Sequence, residues 1–177
     1  MPVAPYALDA LDVALLAALR EHPRAGALEL SRVVRVARAT VQARLRRLEE
    51  AGVVTGYGPD VDLEAAGNPV LAFVTLEIAQ GALTEVRAEL ERLPWILEAH
   101  ATTGSADVVC RLAARSHGDL QTALLELDRS PSVVRSTSVI VLSEVVAPRV
   151  LPLLRAQAGE RTGTTRAPAY REGGAGG

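Results

Sequence analysis

The chain contains no lysine, one cysteine and few aromatic residues. All 19 basic residues are arginines, and phenylalanine, tryptophan and tyrosine make up 3% of the 177 residues. With Cys110 alone, no internal disulfide can form, which favours a reducing compartment. No apolar run is long enough to span a membrane, and the N-terminus lacks a signal-peptide pattern. These absences predict a cytoplasmic protein without a membrane partner, whose core is built from leucine, valine and alanine.

Charge is distributed unevenly along the chain. The net charge is -2, and acidic residues outnumber arginines between Val61 and Arg155. The stretch from Ser31 to Arg47, in contrast, has no acidic residue. A basic segment of this kind attracts polyanions, and an acidic remainder suggests a second domain with a different partner. Nucleic acid is therefore the first candidate partner of the stretch, whose six arginines are Arg32, Arg35, Arg38, Arg44, Arg46 and Arg47.

The first 60 residues contain three helical patterns. In the first, leucines recur at helical spacing, with aspartates in the first turn and Pro23 beyond the end. The second helix is predicted over Ala27–Val34 and the third over Arg38–Ala51, with Arg35–Ala37 as the turn between them. A short extended run follows Gly52, a residue that suits the position after a helix. The residues expected to face the core are Leu8, Leu11, Leu15, Leu16, Leu19, Leu30, Val33, Val34, Val41, Leu45 and Leu48.

Three helices with a short turn between the last two are typical of the helix-turn-helix motif, whose last helix enters the DNA major groove. Gln42 is suited to hydrogen-bond adenine, and Ala43 to touch a thymine methyl group. Arg38 is placed to reach a base edge, whereas the later arginines are expected to bind phosphates or to pair with neighbouring glutamates. We therefore predict a DNA-binding surface made of Arg38, Thr40, Gln42, Ala43, Arg44, Arg46 and Arg47.

After Pro69 the pattern changes to β-rich runs separated by two helical stripes. The order βαββαβ is the ferredoxin-like arrangement, an antiparallel sheet with both helices on one face. The other face is then partly apolar and uncovered, which favours homodimerisation. The predicted elements are strands Val70–Ala79, Ile96–Thr103, Asp107–Ala113 and Val133–Val146, and helices Leu83–Leu93 and His117–Arg129.

The chain is thus predicted to be an α+β protein with two domains and a tail. Residues 1–60 form the helix-turn-helix domain, 61–68 a linker, and 69–155 the ferredoxin-like domain. From residue 156 onward apolar periodicity is absent, and glycine, threonine, arginine and alanine dominate. We therefore predict that residues 156–177 are disordered.

Several short motifs, in this order and spacing, resemble the leucine-responsive regulatory protein (Lrp)/AsnC family of transcription regulators, over residues 8–154. Those of the first domain are Leu8-Asp9-x-x-Asp12, Glu29-Leu30, Thr40-Val41-x-x-Arg44-x-x-x-Leu48-Glu49 and Gly52-Val53-Val54-x-Gly56-Tyr57. Those of the second are Thr103-Gly104-x-x-Asp107 and Pro131-x-Val133 leading into Thr137.

The resemblance implies a winged helix-turn-helix joined to a ferredoxin-like effector domain, in a regulator that binds double-stranded DNA. It also implies homodimers that pair sheet to sheet and assemble into tetramers or octamers. A small effector, an amino acid, would modulate the oligomeric state or the DNA affinity. Asp107 would pair with its ammonium group, and backbone N–H groups near Gly104 would receive its carboxylate. The implied effector site is Gly104, Ser105, Ala106 and Asp107, with Ser136, Thr137 and Ser138 on the facing strand.

The chain departs from the family's pattern at two sites, the turn before the recognition helix and the effector loop. The family usually has a glycine and a serine in the turn before the recognition helix, where this chain has Arg35 and Ala37. Ala37 cannot cap the helix as serine would, at a cost of about 1 kcal/mol. The effector loop often has an acidic residue after its glycine, where this chain has Ser105. The identity of the effector therefore stays open.

Two alternative functions remain beside the regulator. Siroheme decarboxylases resemble this family and retain both domains, and an oligomeric sensor that does not bind DNA is also compatible with the pattern. The histidines fall at a helix end (His22), within a strand (His100) and at a helix start (His117). No metal cluster, nucleophile triad or phosphate loop is recognisable in the sequence. We therefore expect no catalytic residue, no cofactor and no metal.

Overall fold

The computed structural model describes residues 6–163, and the chain forms two compact units. The first consists of the residues up to Pro59 together with the segment that starts at Ala147, and the second of Asp60–Val146. The predicted boundaries therefore need two corrections. Residues 61–68 belong to the second unit, and residues 147–155 belong to the first.

Three helices, α1 (Ala10–Glu21), α2 (Ala27–Val34) and α3 (Arg38–Glu50), form the body of the first unit. The start of α1 is fixed by reciprocal hydrogen bonds of a capping box. Asp9 Oδ1 accepts from the Asp12 N–H at 2.9 Å, and Asp12 Oδ2 accepts from the Asp9 N–H at 3.1 Å. The helices bury Leu15, Ala18, Leu30 and Val41, with Leu11, Leu19, Val34 and Leu45 packed against them.

Two predicted details of this unit are wrong. Val33 is 44% exposed, because Leu30 and Val34, one turn apart, already fill the inward stripe of α2. The extended run expected after Gly52 makes no strand, since residues 51–69 form turns, bends and irregular structure. Gly52 itself, with φ 67°, ends α3 in the left-handed conformation that glycine favours.

A fourth helix of the first unit, α6 (Leu151–Gly163), packs on α1. The prediction of disorder is therefore wrong for residues 156–163, whereas the rest of that predicted tail lies outside the described residues. Leu151, Leu154 and Ala158 recur at helical spacing and are shielded from solvent. α6 forms partly because α1 has apolar residues on two sides. α2 and α3 cover one side, and α6 covers the other.

The second unit contains the four predicted strands and two predicted helices. They are β1 (Val70–Ile78), α4 (Leu83–Leu90), β2 (Ile96–Ala101), β3 (Val108–Ala114), α5 (His117–Asp128) and β4 (Val133–Ile140). The strands form one antiparallel sheet in the order β2-β3-β1-β4. Alternate residues of the central strands face the helices, and the core consists of Val70, Ala72, Val74, Leu76, Val108, Cys110, Leu112 and Ala114 with Val86, Leu90, Leu120 and Leu127.

β4 is shorter than predicted, because β1 has no residues that could pair with the last part of the predicted strand. β4 is antiparallel to β1, so the end of β4 lies beside the start of β1. The last hydrogen bond of this ladder runs from the Val141 N–H to the Leu71 carbonyl, at 2.8 Å. Beyond it, residues 6–163 offer no partner strand, and residues 142–146 are exposed. α4 likewise ends at Leu90 rather than Leu93.

The sheet face opposite the helices is uncovered in the described chain. Phe73 on β1 and Val139 on β4 are paired neighbours there, and they are 44% and 63% exposed. This partly apolar face agrees with the sequence prediction. No helix in residues 6–163 is both long and apolar enough to cross a membrane.

Candidate nucleic-acid interface and effector loop

α3 has one buried side and one exposed polar side. Val41 and Leu48 are fully buried and Leu45 is half-buried, which fixes the rotation of the helix about its axis. Because the helical period then sets which residues face solvent, most of the predicted DNA-binding residues lie together on the outer surface. The exposed residues of this set are Arg38, Thr40, Gln42, Ala43, Arg46 and Arg47.

Arg44 is the exception, because its guanidinium faces the start of α1. Arg44 Nη1 donates to Asp9 Oδ2 at 2.5 Å and to Asp12 Oδ1 at 3.1 Å. The Asp12 side chain is 1% exposed, so this ion pair compensates a buried carboxylate. Arg44 therefore connects α3 to α1 and is removed from the predicted DNA-binding surface. Sequence reasoning missed this role, although the acidic first turn of α1 was the signal for it.

The electrostatics of this cluster agree with its geometry. The hydrogen bond to Asp9 is the main cause that raises the pKa of Arg44, against the partial burial that lowers it. For Asp9, burial acts to raise the carboxyl pKa. The Asp12 N–H and the Arg44 guanidinium outweigh it, and the pKa of Asp9 is lowered. Both groups are thus held in their charged forms.

The turn that leads into α3 has an unusual backbone. Arg35 has φ 55° and ψ 42°, a left-handed conformation that disfavours residues with a Cβ. Ala37 occupies the N-cap of α3, and no side chain of the described residues makes a capping hydrogen bond at that end. The two residues of this turn that depart from the family's pattern, Arg35 and Ala37, therefore coincide with a strained position and an uncapped helix start.

Two tyrosines contact the outer part of α3. Tyr57 donates its hydroxyl to Glu49 Oε1 at 2.5 Å, which holds the segment after α3 against the end of the helix. Partial burial and the Glu49 carboxylate raise the pKa of Tyr57 to about 12. The second tyrosine, Tyr6, contacts Arg47. The Arg47 guanidinium lies 5.7 Å from the centre of the Tyr6 ring, within cation–π range.

The predicted effector loop joins β2 to β3 at one end of the sheet. Gly104 has φ 124°, which only glycine adopts easily. Asp107 donates its N–H to the Leu76 carbonyl and accepts the Ile78 N–H on Oδ2, both at 2.9 Å. The Thr102 hydroxyl donates to the Ala106 carbonyl at 2.7 Å and closes the loop. Asp107 thus has a structural role at the end of β1, where the pairing of β1 with β4 changes register.

The effector residues predicted on β4 lie on different faces of the sheet. Ser136 donates to Asp128 Oδ1 at 2.6 Å, at the end of α5. Thr137 lies on the open face opposite Thr75, whose hydroxyl donates to the Thr137 carbonyl at 3.4 Å. Ser138 pairs with Val74, so it lies on the helix side. Since β1 separates β3 from β4, these residues are not brought into contact with the loop within one chain.

Arg111 is a residue of the open face that sequence reasoning did not single out. It lies on β3 and pairs with Glu98 on β2, whose Oε1 is 3.4 Å from Arg111 Nη1. Glu98 Oε2 is also 3.8 Å from His100 Nε2. Among the described residues, Arg111 Nε has no hydrogen-bond partner although it is buried. The face therefore has an unmet donor beside its apolar residues.

The histidines do not converge on a common site. His22 lies in the first unit, whereas His100 and His117 lie in the second, on the open face of β2 and at the start of α5. Within residues 6–163, no three His, Cys, Asp or Glu side chains are placed to hold a metal ion. Burial raises the pKa of Cys110 to about 11, so this thiol stays protonated and unreactive at neutral pH.

Comparison with known proteins identifies both units. Residues 8–55 match the family described as winged helix-turn-helix DNA-binding, and residues 71–151 match the Lrp/AsnC ligand binding domain. The HTH-type transcriptional regulator FL11 of Pyrococcus horikoshii is 30% identical over 146 residues, which cover 82% of this chain and 97% of that protein. The HTH-type transcriptional regulator Rv2324 of Mycobacterium tuberculosis is 32% identical, over 78% of this chain and 95% of that one.

Two solved structures have the same fold over nearly their whole length. Escherichia coli AsnC superposes with a TM-score of 0.77 and 27% identity, covering 83% of this chain and 100% of that one. The transcriptional regulator NMB0573 of Neisseria meningitidis, solved as an L-Met complex, superposes with a TM-score of 0.78 and 27% identity. It covers 85% of this chain and 99% of that one.

Proposed function

Because the chain belongs to the Lrp/AsnC family of DNA-binding transcriptional regulators, and not to a family of enzymes, we propose that α3 reads operator DNA and that the second unit senses an amino acid. The observation that carries the proposal is the exposed face of α3, where cations and hydrogen-bonding side chains lie opposite a buried apolar stripe. An exposed helix of this kind, presented by a helix-turn-helix, fits the major groove.

We assign base readout to the first turns of α3. The Gln42 amide can accept and donate in the pattern that adenine presents, Thr40 can bond a base or a phosphate, and Ala43 can touch a thymine methyl group. Arg38, in the first turn of α3, is placed to reach a guanine edge. All four are exposed, so no rearrangement of the helix core is needed for these contacts.

The remaining arginines of α3 are proposed to bind phosphates. Arg46 is exposed and has no acidic partner among the described residues, whereas Arg47 stacks on Tyr6. Contacts with phosphates give affinity and fix the register of the protein on DNA, but they do not read sequence. Arg44 is excluded because its guanidinium is occupied by Asp9 and Asp12.

The effector loop is proposed to bind a free amino acid, as the L-Met complex of the N. meningitidis relative suggests. Asp107 uses one oxygen for the Ile78 N–H, and a carboxylate has lone pairs for further donors such as an ammonium group. Gly104 and its neighbours Ser105 and Ala106 would supply backbone N–H groups for the carboxylate. Because β1 separates the loop from Ser136, Thr137 and Ser138 in one chain, these residues would join the site from another subunit.

The open face of the sheet is proposed to form the dimer. Phe73 and Val139 supply apolar area, and a second copy packed on this face would offer acceptors to the unpaired Arg111 Nε. We further propose that effector binding between dimers selects tetramers or octamers, and that the protein works in the cytoplasm, where its DNA lies.

A binding titration tests the proposal. Fluorescence anisotropy of a labelled duplex from the region upstream of the gene should report tight, salt-sensitive binding, compared with a shuffled duplex of the same composition. At least one of the common amino acids should shift the midpoint or the stoichiometry. Absence of salt-sensitive binding under all of these conditions would contradict the DNA-binding function, and binding that no amino acid changes would contradict the sensing function.

A further inference from the structure

The C-terminal segment beyond the sheet returns to the DNA-binding unit. After Val146 the chain leaves the second unit and lies on α1, where Arg20 Nη2 donates to the Pro148 carbonyl at 3.5 Å. α6 then packs on the side of α1 that α2 and α3 leave open, with Ala158 buried. The segment is thus structurally part of the helix-turn-helix unit, although it follows the ligand-binding unit in sequence.

Most of this segment lies outside the family match. The Lrp/AsnC ligand-binding match ends at residue 151, where α6 begins. The alignment with FL11 covers 97% of that protein but 82% of this chain. Apart from Leu151, α6 therefore lies beyond the residues of the ligand-binding match.

The segment is basic, in contrast to the unit that precedes it. From residue 147 to residue 177 the sequence has Arg149, Arg155, Arg161, Arg166 and Arg171 against Glu160 and Glu172. Arg149 and Arg155 are exposed, and within the described chain neither has an acidic partner. An excess of arginine in a segment that begins on a DNA-binding unit suits a polyanion better than a neutral or acidic partner.

One arginine of α6 and one arginine of the helix-turn-helix meet at a groove. Arg155 and Arg35 both line a groove of about 640 Å³, together with alanines and valines of α1 and α2. Among the described residues that line it, Glu21 is the one acidic residue. Arg35 lies in the turn that leads directly into α3, three positions before Arg38. α6 therefore extends the cationic surface of the turn rather than forming a separate patch.

We propose that the C-terminal segment is a second DNA-contacting element, in which Arg149, just before α6, and Arg155, within α6, bind phosphates that flank the major groove occupied by α3. This inference rests on the proposed function of α3. Each phosphate contact releases counterions, so the salt dependence of binding counts the contacts. Neither arginine is expected to change which sequence is preferred, because phosphates carry no direct sequence information.

The test compares the salt dependence of variants of the full chain. The logarithm of the association constant for a random 40-base-pair duplex is plotted against the logarithm of the salt concentration. Arg149→Ala/Arg155→Ala should lower the magnitude of the slope by about 1.8, roughly 0.9 for each lost contact, and weaken binding about fivefold per contact near physiological salt. Arg149→Lys/Arg155→Lys keeps the charge and should keep the slope.

The matched control removes two arginines from the second unit. Arg92 and Arg129 are exposed beside α4 and α5, so Arg92→Ala/Arg129→Ala changes the net charge equally and should leave the slope unchanged. An unaltered slope in Arg149→Ala/Arg155→Ala, or an equal fall in the control, would overturn the role of the C-terminal segment while leaving that of α3 intact. If the unaltered protein does not bind DNA, the proposed function fails, and this inference fails with it.

Discussion

The Arg44 guanidinium lies 3.1 Å from Oδ1 of Asp12, a carboxylate with a side chain that is 1% exposed. The same guanidinium contacts Asp9, the N-cap residue of α1. One arginine of the basic stretch therefore holds α3 against the start of α1. No other charged group in the described chain pairs with Asp12.

Replacement of Arg44 should destabilise the first unit. Arg44→Ala leaves the buried Asp12 carboxylate with only the Asp9 N–H as a partner, which is expected to lower the free energy of unfolding by about 2–3 kcal/mol. Arg46→Ala, two residues away and exposed, should change it by less than about 0.5 kcal/mol. Urea unfolding followed by circular dichroism, with hydrogen exchange of the α1 and α3 amides, measures both. Equal stability of the two variants would contradict the assigned role.

The same cluster predicts a pH dependence. The pKa of Asp9 is lowered from its ordinary value of 3.8, so the folded state binds a proton there less readily than the unfolded chain does. The resulting stabilisation is fully present above about pH 5 and is lost as the pH falls through 4 and below. The unfolding free energy of the unaltered protein should therefore decrease more between pH 5 and pH 3 than that of Arg44→Ala. Parallel curves would mean that the Asp9–Arg44 pair contributes nothing.

The turn before α3 offers two stabilising substitutions. Ala37→Ser supplies the missing N-cap of α3 and should raise the free energy of unfolding by about 1 kcal/mol. Arg35→Gly relieves the strain of the left-handed conformation and should raise the free energy of unfolding by up to about 1 kcal/mol. The control is Arg32→Gly, in the last turn of α2, which should lower the free energy of unfolding by up to about 1 kcal/mol. Thermal or urea unfolding should show that Arg35→Gly raises the stability of the protein and that Arg32→Gly lowers it. A loss of stability in Arg35→Gly would argue against strain at this position.

The two roles of Asp107 can be separated by substitution. Asp107→Asn keeps an acceptor for the Ile78 N–H but removes the charge that would pair with an ammonium group. The variant should stay folded and lose the thermal shift that an amino acid produces in the unaltered protein. Asp107→Ala removes both contacts and should also lower the melting temperature without ligand. An amino-acid shift that persists in Asp107→Asn would rule out the proposed ion pair.

The repeating patterns of this sequence predicted the elements well. The α2 range was predicted at Ala27–Val34 and observed there, because a proline before it and the turn after it limit the helix. The βαββαβ order was also confirmed, since alternation and helical spacing differ clearly between its segments. Errors arose where a partner decides the outcome. β4 ends where β1 offers no further hydrogen bonds, and Val33 is exposed because Leu30 and Val34 already form the inward stripe of α2.

The role of a single side chain was harder to predict than its position. Arg44 and Arg46 look alike in the sequence, yet one pairs with a buried aspartate and the other is exposed. α6 has a weak apolar pattern of its own, and the clue to it lies in the alanine-rich second side of α1. Both cases depend on contacts between segments distant in sequence, which local periodicity does not encode.

The central claim is that the exposed face of α3 reads DNA sequence, and the discrimination between operator and shuffled DNA tests it most directly. The ratio of the two association constants is measured for the unaltered protein, for Gln42→Ala and for Gln121→Ala, a matched change at an exposed position of α5. Loss of a bidentate base contact is worth about 1–3 kcal/mol of discrimination, so Gln42→Ala should reduce the ratio roughly 5- to 150-fold while Gln121→Ala leaves it unchanged. A Gln42→Ala protein that keeps the full ratio would contradict the account.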